Sequence, residues 1–169
     1  VLSTAIVTFN NTVGMNHGDA PDLGLGVAGA GAAVGTIRNT GNLAAKIEAN
    51  AMAQLRKMEQ ASGAHFFSRH GAQTTLAQQY NRAITGLTPD GIAGRMVDSS
   101  RFLTHLKQLN AVQRAETIFR QTGKTVFDFD MGEIIGEGYL RGGGNVINTT
   151  KVQAVFKDGK LVTLYPKLR

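Results

Sequence analysis

Residues 151–166 decide how the chain folds, and they read Lys151-Val-Gln-Ala-Val-Phe-Lys-Asp-Gly-Lys-Leu-Val-Thr-Leu-Tyr-Pro166. Two runs of strand-forming residues flank Asp158-Gly159, and Asp-Gly between alternating apolar residues is the strongest short-range signal of a β-hairpin. A two-residue turn fixes the register of the two strands. The predicted cross-strand pairs are Lys157 with Lys160, Phe156 with Leu161, Ala154 with Thr163, and Val152 with Tyr165.

This register puts Thr163 and Tyr165 on one face of the hairpin, behind Phe156 and Leu161, because side chains alternate between faces along a strand. Small residues stand opposite the two hydroxyls, so these lie beneath open space and could hold an anion. Thr and Tyr are also among the best strand formers. A purely structural role therefore explains them equally well at this point.

The segment before the hairpin also has the pattern of a sheet. Phe127, Phe129 and Met131 alternate with Asp128 and Asp130, which predicts a strand with one wet face. A second, short strand is expected around 133–140, within the glycine-dense connection 132–144. The acidic residues of this region could be proposed as a metal cluster, but alternation explains them as solvent-facing edge residues: Asp128, Asp130, Glu133 and Glu137.

Helices are predicted upstream of the sheet from apolar positions spaced three or four residues apart. They run from a cap at Asn42 to about Ala61, from Thr74 or Thr75 to Thr85, and from about 100 to 121. Asp98-Ser99-Ser100 is expected to cap the last helix. Helices first and strands last predict an α+β fold, with a small twisted antiparallel sheet that ends in the C-terminal hairpin.

Charge divides the chain into two parts. The whole has 169 residues, no cysteine and a net charge of +6. Residues 1–63 hold four basic and four acidic residues, so the entire excess lies in residues 64–169. We place a module boundary at Ser62-Gly63 and expect a polyanion to bind the second part. A lysine-rich solvated surface is the alternative. The start at Val1, without Met, suggests a segment of a longer protein.

The first part is dominated by small residues between Leu23 and Ile37. Gly24-x-Gly26-x-x-Gly29 has the form of a dinucleotide fingerprint, but no strand precedes it and no βαβ unit follows, so we reject that reading. The stretch is too short to span a bilayer as a helix. We expect a loosely packed segment, with transient membrane passage as the less favoured alternative.

The stretch His65-Phe-Phe-Ser-Arg-His-Gly71 opens the second part and concentrates two of the four histidines beside an arginine. A histidine of near-neutral pKa is the usual general acid or base. The alternative is a pair of histidines that cap or pack a helix. No third ligand of suitable type lies nearby in sequence, so a zinc site is not expected.

Five short motifs of residues 64–169 follow one another in order: His65-x-x-x-Arg69-His70-Gly71, Thr74-Thr75-Leu76 with Arg82, Ser99-Ser100-x-Phe102, Asp130-Met-Gly-x-x-x-Gly136, and Thr163-x-Tyr165-Pro166. In order and spacing they resemble the C-terminal toxin domains of bacterial polymorphic toxins, at the ends of filamentous-haemagglutinin-like contact-dependent growth inhibition proteins. The resemblance extends to their ribonuclease members, the RNase A-like and the barnase–EndoU–colicin–RelE groups, and does not separate the two.

The resemblance implies a secreted or cell-surface antibacterial toxin that works in the cytoplasm of target bacteria. It implies a metal-independent endoribonuclease that cleaves tRNA, needs no cofactor, and is neutralised by a cognate immunity protein, which the positive charge predicts to be acidic. Residues 64–169 would be the ribonuclease domain. Residues 1–63 would correspond to the glycine-rich and helical segment that helps such toxins enter the target cytoplasm.

Carried over residue by residue, the family's histidine falls on His70 or His65, its arginine on Arg82 or Arg69, and its hydroxyl pair on the hairpin. Metal-free RNA cleavage needs a base, an acid and donors to the phosphoryl oxygens. The resemblance thus implies His70 as base or acid, the two arginines as phosphate clamps, and the two hydroxyls as phosphate-binding or proton-transfer groups. The predicted set is His70, Arg69, Arg82, Thr163 and Tyr165.

Two other classes of function stay open on the sequence. A non-catalytic module could use a basic sheet to hold RNA or an acidic protein. A toxin of the same kind could instead act on DNA or on nucleotides.

Overall fold

The computed structural model describes the backbone from Gly29 to Arg169 and the side chains from Thr40 onward. The helices are α1 Gly29–Ser62, α2 Phe66–His70, α3 Leu76–Thr85 and α4 His105–Thr122. The strands are β1 Ser99–Phe102, β2 Val126–Asp130, β3 Gly136–Tyr139, β4 Ile147–Thr149, β5 Lys151–Lys157 and β6 Lys160–Pro166. This arrangement confirms the predicted α+β fold. The predictions for residues 1–28 lie outside the described residues.

The strands form two antiparallel sheets of three strands each, with the orders β1-β3-β4 and β2-β5-β6. Apolar side chains of α1, α2, α4 and both sheets form one buried cluster, which includes Leu55, Phe66, Phe102, Val112 and Leu164. The core therefore lies between these helices and the apolar faces of the strands.

Helix α1 continues through Asn42, so the predicted cap there is wrong, although the predicted end at Ser62 holds. Contacts divide the chain into Val1–Asn39 and Thr40–Arg169. The second half of α1 therefore belongs to the same compact unit as the sheets. No helix among the described residues is long and apolar enough to cross a membrane. The functional boundary proposed at Ser62-Gly63 stays a prediction.

Two glutamates of α1 bind the free backbone N–H groups at the beginnings of other helices. The Glu48 carboxylate accepts from His105 N at 2.8 Å and Leu106 N at 3.1 Å. The Glu59 carboxylate accepts from the backbone N of Phe67 at 2.7 Å and of Ser68 at 2.9 Å. The first turn of a helix leaves such donors unpaired, and an anion there is stabilising. These bonds hold α1 against the first turns of α4 and α2.

The C-terminal hairpin forms as predicted, with Asp158 and Gly159 at positive φ in the turn, but its register changes after two pairs. Lys157 lies opposite Lys160 and Phe156 opposite Leu161, whereas Thr163 then lies opposite Val155 and Tyr165 opposite Gln153. An irregularity between Val155 and Phe156 accounts for the shift, because β6 contains one extra residue there. The predicted pairs of Thr163 with Ala154 and Tyr165 with Val152 are therefore wrong.

The bulge has a consequence for the faces of β6. Leu161 and Leu164 are buried in the core, while Thr163 and Tyr165 lie on the opposite, partly exposed face. The prediction that Thr163 and Tyr165 share a face with Phe156 and Leu161 is wrong. Thr163 and Tyr165 still point the same way as each other, since they are two residues apart on a strand.

The predicted helix at 100–121 begins later, because residues 99–102 form strand β1. Thr104 is the cap, and its side chain accepts from Lys107 N. Ser99 and Ser100 are buried in β1, and β3 approaches them closely at Gly138, where a Cβ would lie 2.2 Å from the Ser99 carbonyl oxygen. Short polar side chains at the beginning of a helix and in a buried strand look alike in sequence.

Helix α3 follows its prediction. The Thr75 side chain accepts from Gln78 N at 3.1 Å, and the Gln78 side chain accepts from Thr75 N at 2.8 Å, which completes a capping box. Gly86 ends the helix in the left-handed region. This well-defined helix carries Arg82 in its last turn.

Candidate functional site

A cleft of about 640 Å³ opens where α2, α3, β1 and the end of β6 meet. It is lined by four of the five predicted site residues, and by ten others. The predicted residues are His70, Arg82, Thr163 and Tyr165; the others include His65, Ser100, Asp98, Arg141, Lys167 and Arg169. Residues separated by about 90 positions in the chain therefore meet in one place.

His70 forms part of the cleft wall but is only 4% exposed. Its Nδ1 lies 2.8 Å from the backbone carbonyl oxygen of Ser100. A carbonyl can only accept, so Nδ1 carries the hydrogen and Nε2 keeps a free electron pair. Burial, and next the charge of Arg82, lower the pKa of His70 to about 3. The imidazole is neutral at physiological pH with a fixed tautomer.

Arg82 lines the cleft beside His70. Its Nη1 lies 3.3 Å from His70 Nε2 and donates to it. Burial, and next the charge of Arg69, lower the pKa of Arg82, yet a guanidinium stays charged in proteins. The protein thus directs a partly desolvated cation into the cleft, with one neutral nitrogen as its side-chain partner. An arriving anion would meet a guanidinium that pairs with no carboxylate in the part of the chain that the structure describes.

Thr163 and Tyr165 form the β6 side of the cleft. The Tyr165 ring stacks on the His70 ring at a centroid distance of 5.3 Å and an angle of 29°. The Thr163 hydroxyl is buried and has no hydrogen-bond partner among the described residues. A buried hydroxyl without a partner is costly. The bulge in β6 turns both side chains towards the histidine and away from the core.

His65, the alternative histidine, also lines the cleft and is half-buried. Burial, then the charges of Arg69 and Arg82, lower its pKa below the ordinary 6.5, while Asp90 opposes them. The structure therefore brings both predicted histidines to the same cleft. They differ in environment, since His70 is enclosed and doubly hydrogen-bonded and His65 is the more accessible.

Arg69, the second predicted phosphate clamp, does not line the cleft. Its Nε donates to both carboxylate oxygens of Asp90, at 3.0 and 3.2 Å. An ion-paired guanidinium at this position acts on the cleft through its charge, which lowers the pKa of His65 and of Arg82. Direct phosphate binding by Arg69 would first require that the pair with Asp90 break.

Sequence reasoning missed the basic groups at the end of the chain. Lys167 and Arg169 line the cleft, as does Arg141 from the glycine-rich connection. Asp98, the acidic residue of the lining, is paired with Arg169 at 2.8 Å. The run Lys167-Leu-Arg169 directly after the last strand was a signal that could have been used. Among the described residues, no group of three His, Cys, Asp or Glu side chains could hold a metal ion.

Comparisons with known proteins add little to this geometry. No family model and no curated protein matches the chain. Among solved structures, a chain of the CdiA-CT/CdiI complex from Y. kristensenii 33638 is similar, with 19% identity and a TM-score of 0.45, over 58% of this chain and 94% of that one. Similarity at this level establishes neither a shared fold nor a shared activity.

Proposed function

We propose that the chain is part of an antibacterial toxin whose residues 64–169 are a ribonuclease. The observation that supports it is the convergence in one cleft of a tautomer-fixed imidazole with an arginine and a hydroxyl that have, respectively, no carboxylate partner and no hydrogen-bond partner among the described residues. Cleavage of an RNA phosphodiester by the neighbouring 2′-hydroxyl requires proton-transfer groups and donors to the phosphoryl oxygens, which these side chains can supply. The motif order in the sequence points to the same class of protein.

In this reaction the ribose 2′-oxygen attacks the adjacent phosphorus, and the bond from phosphorus to the 5′-oxygen breaks. The products are a 2′,3′-cyclic phosphate and a 5′-hydroxyl end. Negative charge builds up on the phosphoryl oxygens, where Arg82 can supply two parallel N–H donors. The Thr163 hydroxyl, which has no hydrogen-bond partner among residues 40–169, donates to the same oxygens without breaking a bond within that range.

Proton transfer is assigned to the two histidines. His70 is neutral, and its Nε2 is bonded only by Arg82. When the phosphate binds the Arg82 guanidinium, the hydrogen bond from Arg82 to His70 Nε2 breaks. Nε2 can then accept the proton of the 2′-hydroxyl. His65, the second imidazole of the cleft, then gives a proton to the leaving 5′-oxygen. The phosphate charge raises the pKa of both rings, because it favours their protonated forms.

The biological part of the proposal follows from the charge and from the motif resemblance. We infer that the toxin is delivered from a secreted or cell-surface protein into the cytoplasm of neighbouring bacteria, where its substrate is tRNA. A cognate immunity protein with an acidic surface would cover the basic cleft in the producing cell. Residues 1–63 are assigned to passage into the target cell, including transient contact with its membrane.

The test is incubation of the purified chain with total RNA and with plasmid DNA, each with excess EDTA. Wild type is expected to degrade RNA and to spare DNA, and Arg82→Gln to lose on the order of a hundredfold or more in rate. Arg120→Gln is the matched control, because Arg120 is exposed on α4 outside the cleft. RNA binding without cleavage would favour the non-catalytic module, and cleavage of plasmid would favour a DNA-directed toxin.

A further inference from the structure

A row of three polar side chains crosses the partly exposed face of the β2-β5-β6 sheet and ends in the cleft. Asp128 lies opposite Gln153, and Gln153 lies opposite Tyr165. Gln153 Nε2 donates to Asp128 Oδ1 at 2.8 Å, and the Tyr165 hydroxyl donates to Gln153 Oε1. The other Asp128 oxygen accepts from Lys167. Cross-strand neighbours of this kind are in direct contact.

The chemistry of each group fixes the direction of the whole row. An ionised carboxylate can only accept, so Asp128 requires the amide nitrogen of Gln153 on its side. Burial acts to raise the pKa of Asp128, but hydrogen bonds from Lys167 and Gln153 hold it below its usual value. With Nε2 committed to Asp128, Gln153 must present Oε1 to Tyr165. The phenol must then donate its hydrogen away from the cleft.

We propose that Gln153, oriented by Asp128, is a positioning residue for Tyr165 in the ribonuclease reaction; this inference rests on the function proposed above. Gln153 holds the hydroxyl of Tyr165, and the His70 ring stacks on the face of the Tyr165 ring. Because its hydrogen is given to Gln153, Tyr165 presents a lone pair to the cleft. A phosphodiester offers no hydrogen-bond donor, and the hydrogen of the attacking 2′-hydroxyl goes to His70, so Tyr165 acts on the reaction by fixing the His70 ring on which it stacks.

The deciding experiment is a double-mutant cycle between Gln153→Met and Tyr165→Phe, with RNA cleavage as the readout. Methionine keeps the length of the side chain and removes both hydrogen bonds. Gln153→Met is expected to lower kcat about tenfold with KM unchanged, as the loss of one net hydrogen bond implies. In the Tyr165→Phe background the same change should have no further effect. Gln113→Met, at an exposed position of α4, is the matched control.

An equal loss in both backgrounds would overturn the inference, since Gln153 would then act independently of Tyr165. Complete absence of RNA cleavage by wild type would instead contradict the proposed function. In that case the pKa of Tyr165 decides the inference. It is measured in wild type and in Gln153→Met from the absorbance of tyrosinate, after subtraction of the same protein with Tyr165→Phe. Loss of the acceptor at Gln153 should lower that pKa by about one unit. An unchanged pKa would overturn the role of Gln153.

Discussion

Acid should destabilise this protein through His70. Burial lowers the pKa of His70 from 6.5 to about 3, so the unfolded chain binds a proton that the folded protein excludes. The stability contributed by the neutral ring is complete above pH 6.5 and is lost progressively as the pH falls towards 3. Between about pH 7.5 and about pH 4.5, linkage gives a loss of about 3 kcal/mol from this residue alone.

The perturbation that isolates this contribution is His70→Asn. The amide nitrogen of asparagine can take the place of Nδ1 and donate to the Ser100 carbonyl, but it does not titrate. Urea unfolding of both proteins at the two pH values gives four free energies of unfolding. The pH-dependent loss should be about 3 kcal/mol smaller in the variant than in wild type. Equal losses in the two proteins would refute a buried neutral His70, whatever the absolute stability of the variant.

Three further predictions concern the cleft and α1. Thr163→Val removes a buried hydroxyl that has no partner in the described part of the chain. Thermal unfolding should therefore show unchanged stability or a gain of up to about 1 kcal/mol, while the rate of RNA cleavage falls on the order of a hundredfold; a large loss of stability would contradict this. Leu55→Ala should lower the free energy of unfolding of the Thr40–Arg169 unit by about 2–5 kcal/mol in urea, because Leu55 is fully buried in the shared core. An unaffected variant would show that α1 is not part of this core. kcat/KM for RNA cleavage should be highest on the acid side of pH 6.5, because this ratio reports the free enzyme, in which His65 must be protonated and its pKa is lowered by burial; a profile that His65→Gln leaves unchanged would exclude His65 as the acid.

Local signals in the sequence predicted much of the fold. Asp158-Gly159 predicted the hairpin, and Thr74-Thr75 predicted the start of α3. The helix predicted to reach about 121 ends at Thr122, with Gly123 as its C-cap. Each of these features depends on the conformation of two to four adjacent residues, which the residues themselves determine. Their predicted positions therefore agree with the structure.

Features that depend on tertiary contacts were not predictable in the same way. The bulge in β6 follows from a choice between two registers, made by burial of Leu164 in the core. Strand β1 forms because β3, more than 30 positions later, pairs with it. Serines at 99 and 100 fit a helix cap as well as a buried strand. Nothing local distinguishes the two.

The candidate site was predicted in its residue types and only partly in its contacts. The sequence indicated that histidine, arginine and hydroxyl groups would act together, and the structure gathers four of the five. The partner of Arg69 is Asp90, 21 positions away, and the burial of His70 depends on the Ser100 carbonyl, 30 positions away. Pairings at these separations are set by packing of the whole unit.

Analysis of the RNA ends tests the central claim most directly. Wild-type protein, incubated with tRNA and excess EDTA, is expected to leave 2′,3′-cyclic phosphate and 5′-hydroxyl ends, because the 2′-hydroxyl is the nucleophile and the cleft supplies its own base and acid. Arg82→Gln should leave the tRNA intact while Arg120→Gln gives the wild-type ends. Products with 3′-hydroxyl and 5′-phosphate ends, or cleavage that EDTA abolishes, would contradict this account of the cleft.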